Sequence, residues 1–218
     1  MQAIHEAVRV NVGMVSVDGD LHVPQRANGL VLFAHGSGSS RFSRRNRAVA
    51  AALEQASFGT LLLDLLTPEE EAIDEQTREY RFDIDLLGRR VVGATDWVQS
   101  RPDLHRLPIA YFGASTGAAA ALIAAAARPE LTRAVISRGG RPDLAGDALP
   151  LVKAPTLLIV GEYDEPVIDL NREAMTRLRA PVELKIVPGA THLFEEPGAL
   201  SVVAKLAIEW CQRHLSVG

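Results

Sequence analysis

The sequence predicts an α/β protein, with a mostly parallel sheet covered by helices on both faces. Three observations predict it. Short, continuous apolar runs recur, as strands buried on both faces require. Between them lie longer stretches with apolar residues at three- and four-residue steps, the helical period. The two patterns alternate through residue 215 without a repeat, a low-complexity linker or a break in composition, so one domain, 1–218, is expected. Of the 218 residues 47% are hydrophobic but only 5% aromatic, so the core must be mostly Ala, Val, Leu and Ile.

The first segment has its own pattern. From Val8 to Val23, VRVNVGMVSVDGDLHV alternates apolar and polar residues, which reads as two antiparallel strands and a turn. GLVLFAHG (29–36) is the first buried strand, and RNRAVAAALEQAS the helix after it. GTLLLDLL (59–66) is the next strand. Ile84, Leu87, Val91 and the run from Ala94 to Val98 mark an amphipathic helix over 82–101. PIAYFGAS (108–115) is a strand, and TGAAAALIAAAARPE a helix stopped at Pro129. TRAVISRGG and APTLLIVGEYD (154–164) give two more strands. VIDLNREAMTRLRAP is a helix stopped at Pro181, VELKIVPGATH the last strand, and GALSVVAKLAIEWCQRHL the last helix.

Several function classes lose support. A net charge of −4 offers no basic stripe for nucleic acid. The one cysteine, Cys211, sits in an apolar periodic stretch and reads as a buried thiol. No Cys/His spacing suggests a metal, so neither metal nor cofactor is expected. MQAIHEAVRV lacks the charged and apolar regions of a signal peptide, and the alanine-rich run is too short for a bilayer. A cytoplasmic protein without membrane or nucleic-acid partners is expected.

In open α/β sheets, ligands bind beyond the carboxyl ends of the strands. Three of those ends carry Ser115, Asp164 and His192, in that chain order. GASTG (113–117) fits G-x-S-x-G, in which a serine on a sharp strand-to-helix turn needs small neighbours two residues away. Taken alone, the pattern also fits a structural serine in a tight turn. A serine hydroxyl needs a base to take its proton. Of the six histidines, His5, His22 and His214 lie near the termini, and His105 on the N-terminal side of its strand. His35 and His192 remain; His192 lies in the loop PGATHLFEEPG after the last strand. For the residue that orients the base, Glu162, Glu165 and Asp169 compete with Asp164, which is preferred because Glu162 falls too early in the turn. HGSGSS, after strand 29–34, is a glycine-rich turn with N–H groups suited to an oxyanion; Ser37 and Thr116 are the expected donors. It lacks the G-K-[ST] of a phosphate loop and the third glycine of a dinucleotide turn.

These residues make the chain resemble the α/β-hydrolase fold family, and most of all its dienelactone hydrolase-like branch. The resemblance covers LVLFAHGSGSS, GASTG, LLIVGEYDEP and PGATHLFEEPG, nearly the whole chain. It implies a catalytic triad of Ser115, Asp164 and His192, with His35 and Gly36 ahead of the oxyanion turn. It also implies about eight strands, the second antiparallel. Dienelactone hydrolases use a cysteine nucleophile, whereas Ser115 stands at that position here. The residues between 138 and 154 are too few for a helical cap, so an open site without a large cap domain is expected.

RFSRRNR places Arg41, Arg44, Arg45 and Arg47 after the oxyanion turn, and SRGGRPD places Arg138 and Arg141 at another strand end. Guanidinium groups grip carboxylates in a bidentate way, so Arg41 and Arg138 are candidate contacts for an anionic substrate. The alternative is a solvated helix start paired with the acidic run PEEEAIDEQ (68–76). The expected function is a serine hydrolase acting on an ester, lactone or thioester of a small molecule. A peptidase or acyltransferase on the same triad, and a binding protein that keeps the fold without the chemistry, are the alternatives.

Overall fold

The alternating N-terminal segment folds as the hairpin its pattern predicts. In the computed structural model, which describes residues 2–215, β1 (Ile4–Val12) and β2 (Val15–Val23) pair antiparallel around Gly13. The φ of +68° at Gly13 is what this tight turn requires. The apolar runs form β3 (Leu30–Ala34), β4 (Gly59–Leu63), β5 (Ile109–Ala114), β6 (Thr132–Arg138), β7 (Thr156–Gly161) and β8 (Val182–Val187). They make one eight-stranded sheet in the order β1-β2-β4-β3-β5-β6-β7-β8. β2 is antiparallel to both neighbours, and every pairing from β4 across to β8 is parallel. This is the α/β-hydrolase fold.

The helices are α1 (Arg44–Gln55), α2 (Pro68–Thr77), α3 (Ile84–Ser100), α4 (Thr116–Ala127), α5 (Glu165–Arg177) and α6 (Ala199–Leu215). Successive residues of a strand point to opposite faces, which splits the core in two. Phe33, Phe112 and Ile136 face α1 and α6, meeting Leu53, Val203 and Trp210. Leu32, Tyr111 and Val135 face α3 and α4 instead. β3, β4, β5 and β7 are buried at every residue, as the continuous apolar runs demand. At the sheet edge only Val187 of β8 is buried. Among the described residues, no helix is long and apolar enough to cross a membrane.

Two segments differ from the sequence reading. The acidic run 68–76, to which the hydrophobic pattern assigned no element, is a helix, α2. A reciprocal cap nucleates it: the Thr67 hydroxyl accepts the Glu70 N–H, and the Glu70 carboxylate accepts the Thr67 N–H. Pro68 and three glutamates in the first turn add a preset φ and a favourable charge. Residues 142–151 form a short 3-10 segment broken at Gly146, a small element between β6 and β7 in the place where a cap would stand.

Candidate active site

Ser115 joins β5 to α4 with φ 51° and ψ −124°, in the left-handed half of the map where a side chain is strained. Neighbouring chain holds it there. Its N–H donates to the Arg138 carbonyl, and its own carbonyl accepts the N–H of Ala118 and of Arg141. The space around the turn admits no larger residues. A Cβ on Gly113 would lie 2.4 Å from Ala118 Cα, and one on Gly117 2.2 Å from the Ala34 carbonyl oxygen. The hydroxyl makes no capping bond to its own helix. The oxyanion turn packs directly on this elbow, since a Cβ on Gly36 would lie 3.0 Å from Ser115 Cβ.

Asp164 starts α5 after β7, and His192 follows β8. The structure joins them: Nδ1–H of His192 donates to Asp164 Oδ2 at 2.6 Å. That bond fixes the imidazole tautomer and leaves Nε2 as the basic nitrogen. The Asp164 carboxylate is nearly buried, and the imidazole is partly exposed. Backbone bonds clip the two loops together, with Glu162 N–H to Val187 O and Tyr163 N–H to Ala190 O. The loop passes so close to β7 that a Cβ on Gly161 would lie 2.4 Å from the Ala190 carbonyl oxygen. Phe194, at φ 55°, turns back into the core and anchors the loop two residues beyond His192. His192 and Ser115 each border the end of β6. The Cβ position of Gly139 is 3.5 Å from His192 Cε1, and the residue before it receives the Ser115 N–H. Two of the three rival acids are engaged elsewhere: Glu162 accepts the Gly189 N–H, and Asp169 pairs with Arg172.

His35 does a different job. It is buried, its Nδ1–H bonds the Gly36 carbonyl at 2.9 Å, and its Nε2 accepts the Leu65 N–H at 3.0 Å. Burial holds its pKa below the ordinary histidine range. A neutral imidazole therefore ties the oxyanion turn to the chain after β4. Thr116, the residue after Ser115, is buried at the start of α4. The Ser37 N–H is not free, as the sequence reading required of an oxyanion donor; it donates to Thr116 Oγ1 at 2.9 Å. The cause is the packing of turn on elbow, which sets a hydroxyl against that amide. Beside the turn lies a cavity of 160 Å³, lined by Ser37, Ser39, Glu71, Asp74, Glu75 and Arg81 among others.

The structure separates the two candidate arginines. The Arg41 side chain already has carboxylate partners: it pairs with Asp64, with Asp20 at 3.6 Å and Asp18 at 3.8 Å. Its neighbours pair likewise, Arg47 with Asp20 and Arg45 with Glu195. None of these partners comes from the run 68–76, whose Glu70 and Asp74 hold Arg90 and Arg81. Arg138 is different. It is 8% exposed, and among the described residues its one side-chain bond is a long one, 3.4 Å, to Asn46 Oδ1 in the first turn of α1. Its Nε and Nη1 are buried without a hydrogen-bond partner among the described residues. Burial, reinforced by the like charge of Arg45, brings its pKa down to about 10.

The model of the dienelactone hydrolase family matches residues 24–217. The chain belongs to the dienelactone hydrolase family. A dienelactone hydrolase from Anabaena variabilis, of known structure, is 60% identical, with a TM-score of 0.95 over 98% of this chain and 99% of its own. Est1E from Butyrivibrio proteoclasticus has a TM-score of 0.78 at 16% identity, covering 95% of this chain and 98% of its own, and so shares the fold alone. Two curated Mycobacterium tuberculosis proteins named as phosphoribosyl transferases are 57% identical over 210 residues. The match takes in 96% of this chain but 46% of theirs, so the chain spans about half the length of those relatives. Dienelactone hydrolase family membership supports a hydrolase.

Proposed function

We propose that the chain is a serine hydrolase that cleaves a carboxylic ester, lactone or thioester of a small molecule through an acyl-enzyme on Ser115. The observation that carries this reading is the 2.6 Å bond between His192 and Asp164, taken with a serine strained at φ 51° on the turn after β5. His192 Nε2 takes the Ser115 proton as Oγ attacks the carbonyl carbon. Asp164 stabilises the imidazolium that forms. The Thr116 N–H, at the N-terminus of α4, holds the developing negative charge. His192 then protonates the leaving oxygen or sulfur. Water, deprotonated by the same nitrogen, releases the acid and restores the serine hydroxyl. No step calls for a metal or cofactor.

Arg138 supports an anionic group on the substrate. A guanidinium buried without a counter-charge is costly, and a carboxylate would relieve that cost. The names of the Mycobacterium tuberculosis relatives raise a transferase reading, but they describe proteins about twice as long. The transfer chemistry open to this triad is acyl transfer to an alcohol or amine, and to separate it from hydrolysis, glycerol or hydroxylamine is added and the products counted. The main test is hydrolysis of a short p-nitrophenyl ester by wild type, Ser115→Ala and His192→Ala. Loss of at least about 10³-fold in both variants is expected, and an undiminished rate in Ser115→Ala ends the reading.

A further inference from the structure

We propose that the Thr116 hydroxyl is itself an oxyanion donor, polarised by the Ser37 amide, so that this site stabilises the tetrahedral intermediate with a side chain where two backbone amides were expected. The inference rests on the serine hydrolase reading above and assigns a further catalytic residue to it. A threonine hydroxyl has one proton to give and two lone pairs to receive with. The Ser37 N–H fills one lone pair at 2.9 Å. The proton is then left to donate, and among the described residues it meets no acceptor. The group is 4% exposed, so water does not compete for it freely.

Position supplies the rest. Thr116 follows the nucleophile in the chain and opens α4, so its N–H and O–H leave the same residue beside Ser115. Its oxygen lies against the Ser37 amide, one of the two assigned to the oxyanion by sequence. The contact of Gly36 with Ser115 holds the turn at that distance, and the His35 bonds hold the turn itself. An N–H donating into a hydroxyl oxygen strengthens the hydroxyl as a donor, because bonds in a chain polarise one another. Ser37 thus acts through Thr116 and is a positioning residue, and Thr116 is the one that touches the reacting oxygen.

The test uses Thr116→Val, which keeps shape and backbone but loses the hydroxyl, and Thr116→Ser, which keeps the hydroxyl. Removing one oxyanion donor costs about 10²–10³-fold in kcat. That loss is expected for Thr116→Val with KM nearly unchanged, and most of the rate should return in Thr116→Ser. Affinity for a trifluoromethyl ketone, whose hemiketal oxygen mimics the oxyanion, should fall in Thr116→Val by a similar factor. A kcat within threefold of wild type in Thr116→Val overturns the proposal. So does a large kcat loss with unchanged trifluoromethyl ketone affinity, since the hydroxyl would then only brace the turn. Failure to acylate Ser115 in the wild type is a separate result, one that removes the serine hydrolase reading itself.

Discussion

A carboxylate 2.6 Å from one nitrogen of His192 decides what the other nitrogen can do. Asp164→Asn keeps the shape but favours the wrong tautomer, so kcat is expected to fall about 10⁴-fold with little change in thermal stability. Wild-type kcat in this variant would mean that Asp164 does not orient the base. His35 makes a prediction about pH. Burial places its folded pKa below the ordinary 6.5, so between those two values the unfolded chain binds more protons. Its contribution to stability is complete above 6.5 and is lost as pH falls through the folded value. Urea midpoints measured from about pH 8 to 5 should drop below 6.5, and His35→Asn should flatten that slope. The sequence brought out Ser115, Asp164 and His192 as candidates because each lies in the turn or loop past the carboxyl end of a recognisable strand. Arg41 was not legible in the same way. Its partners Asp18, Asp20 and Asp64 lie on β2 and just after β4, and only the sheet order brings them to it.

At the scale of elements, hydrophobic period was the readable signal, and elements without it were missed. β3, β5 and β7 announce themselves because every residue is buried. α2 does not, because its one buried residue is Asp74, which serves as the acceptor for Tyr80, Arg81 and the Arg81 side chain. Its signal was the cap Thr67-Pro68-Glu69-Glu70, which is legible only to a reader looking for caps. Thr67→Ala should therefore destabilise the protein by about 1 kcal/mol, measured by denaturant unfolding. An effect near zero would show that packing rather than capping holds α2. The elbow tolerates less. In Gly117→Ala a new Cβ meets the Ala34 carbonyl oxygen at 2.2 Å, so a loss of roughly 1–3 kcal/mol is expected, together with displacement of Ser115.

The whole molecule explains why residues so far apart in sequence share one site. A parallel sheet aligns the carboxyl ends of β3, β5, β6, β7 and β8 along one edge, so each contributes a loop to the same face. That arrangement also leaves Arg138 as a buried cation without a carboxylate, an expense the fold could avoid. Arg138→Met should stabilise the protein by about 1–3 kcal/mol. The same change should lower kcat/KM for carboxylate-bearing esters more than for neutral ones, and equal losses on both would remove the anionic-substrate reading. The serine hydrolase reading is decided by the intact mass of the protein after brief exposure to a fluorophosphonate. A single adduct is expected, mapped to Ser115 and formed far more slowly in His192→Ala. No adduct at Ser115, or one formed just as fast without His192, would contradict that reading.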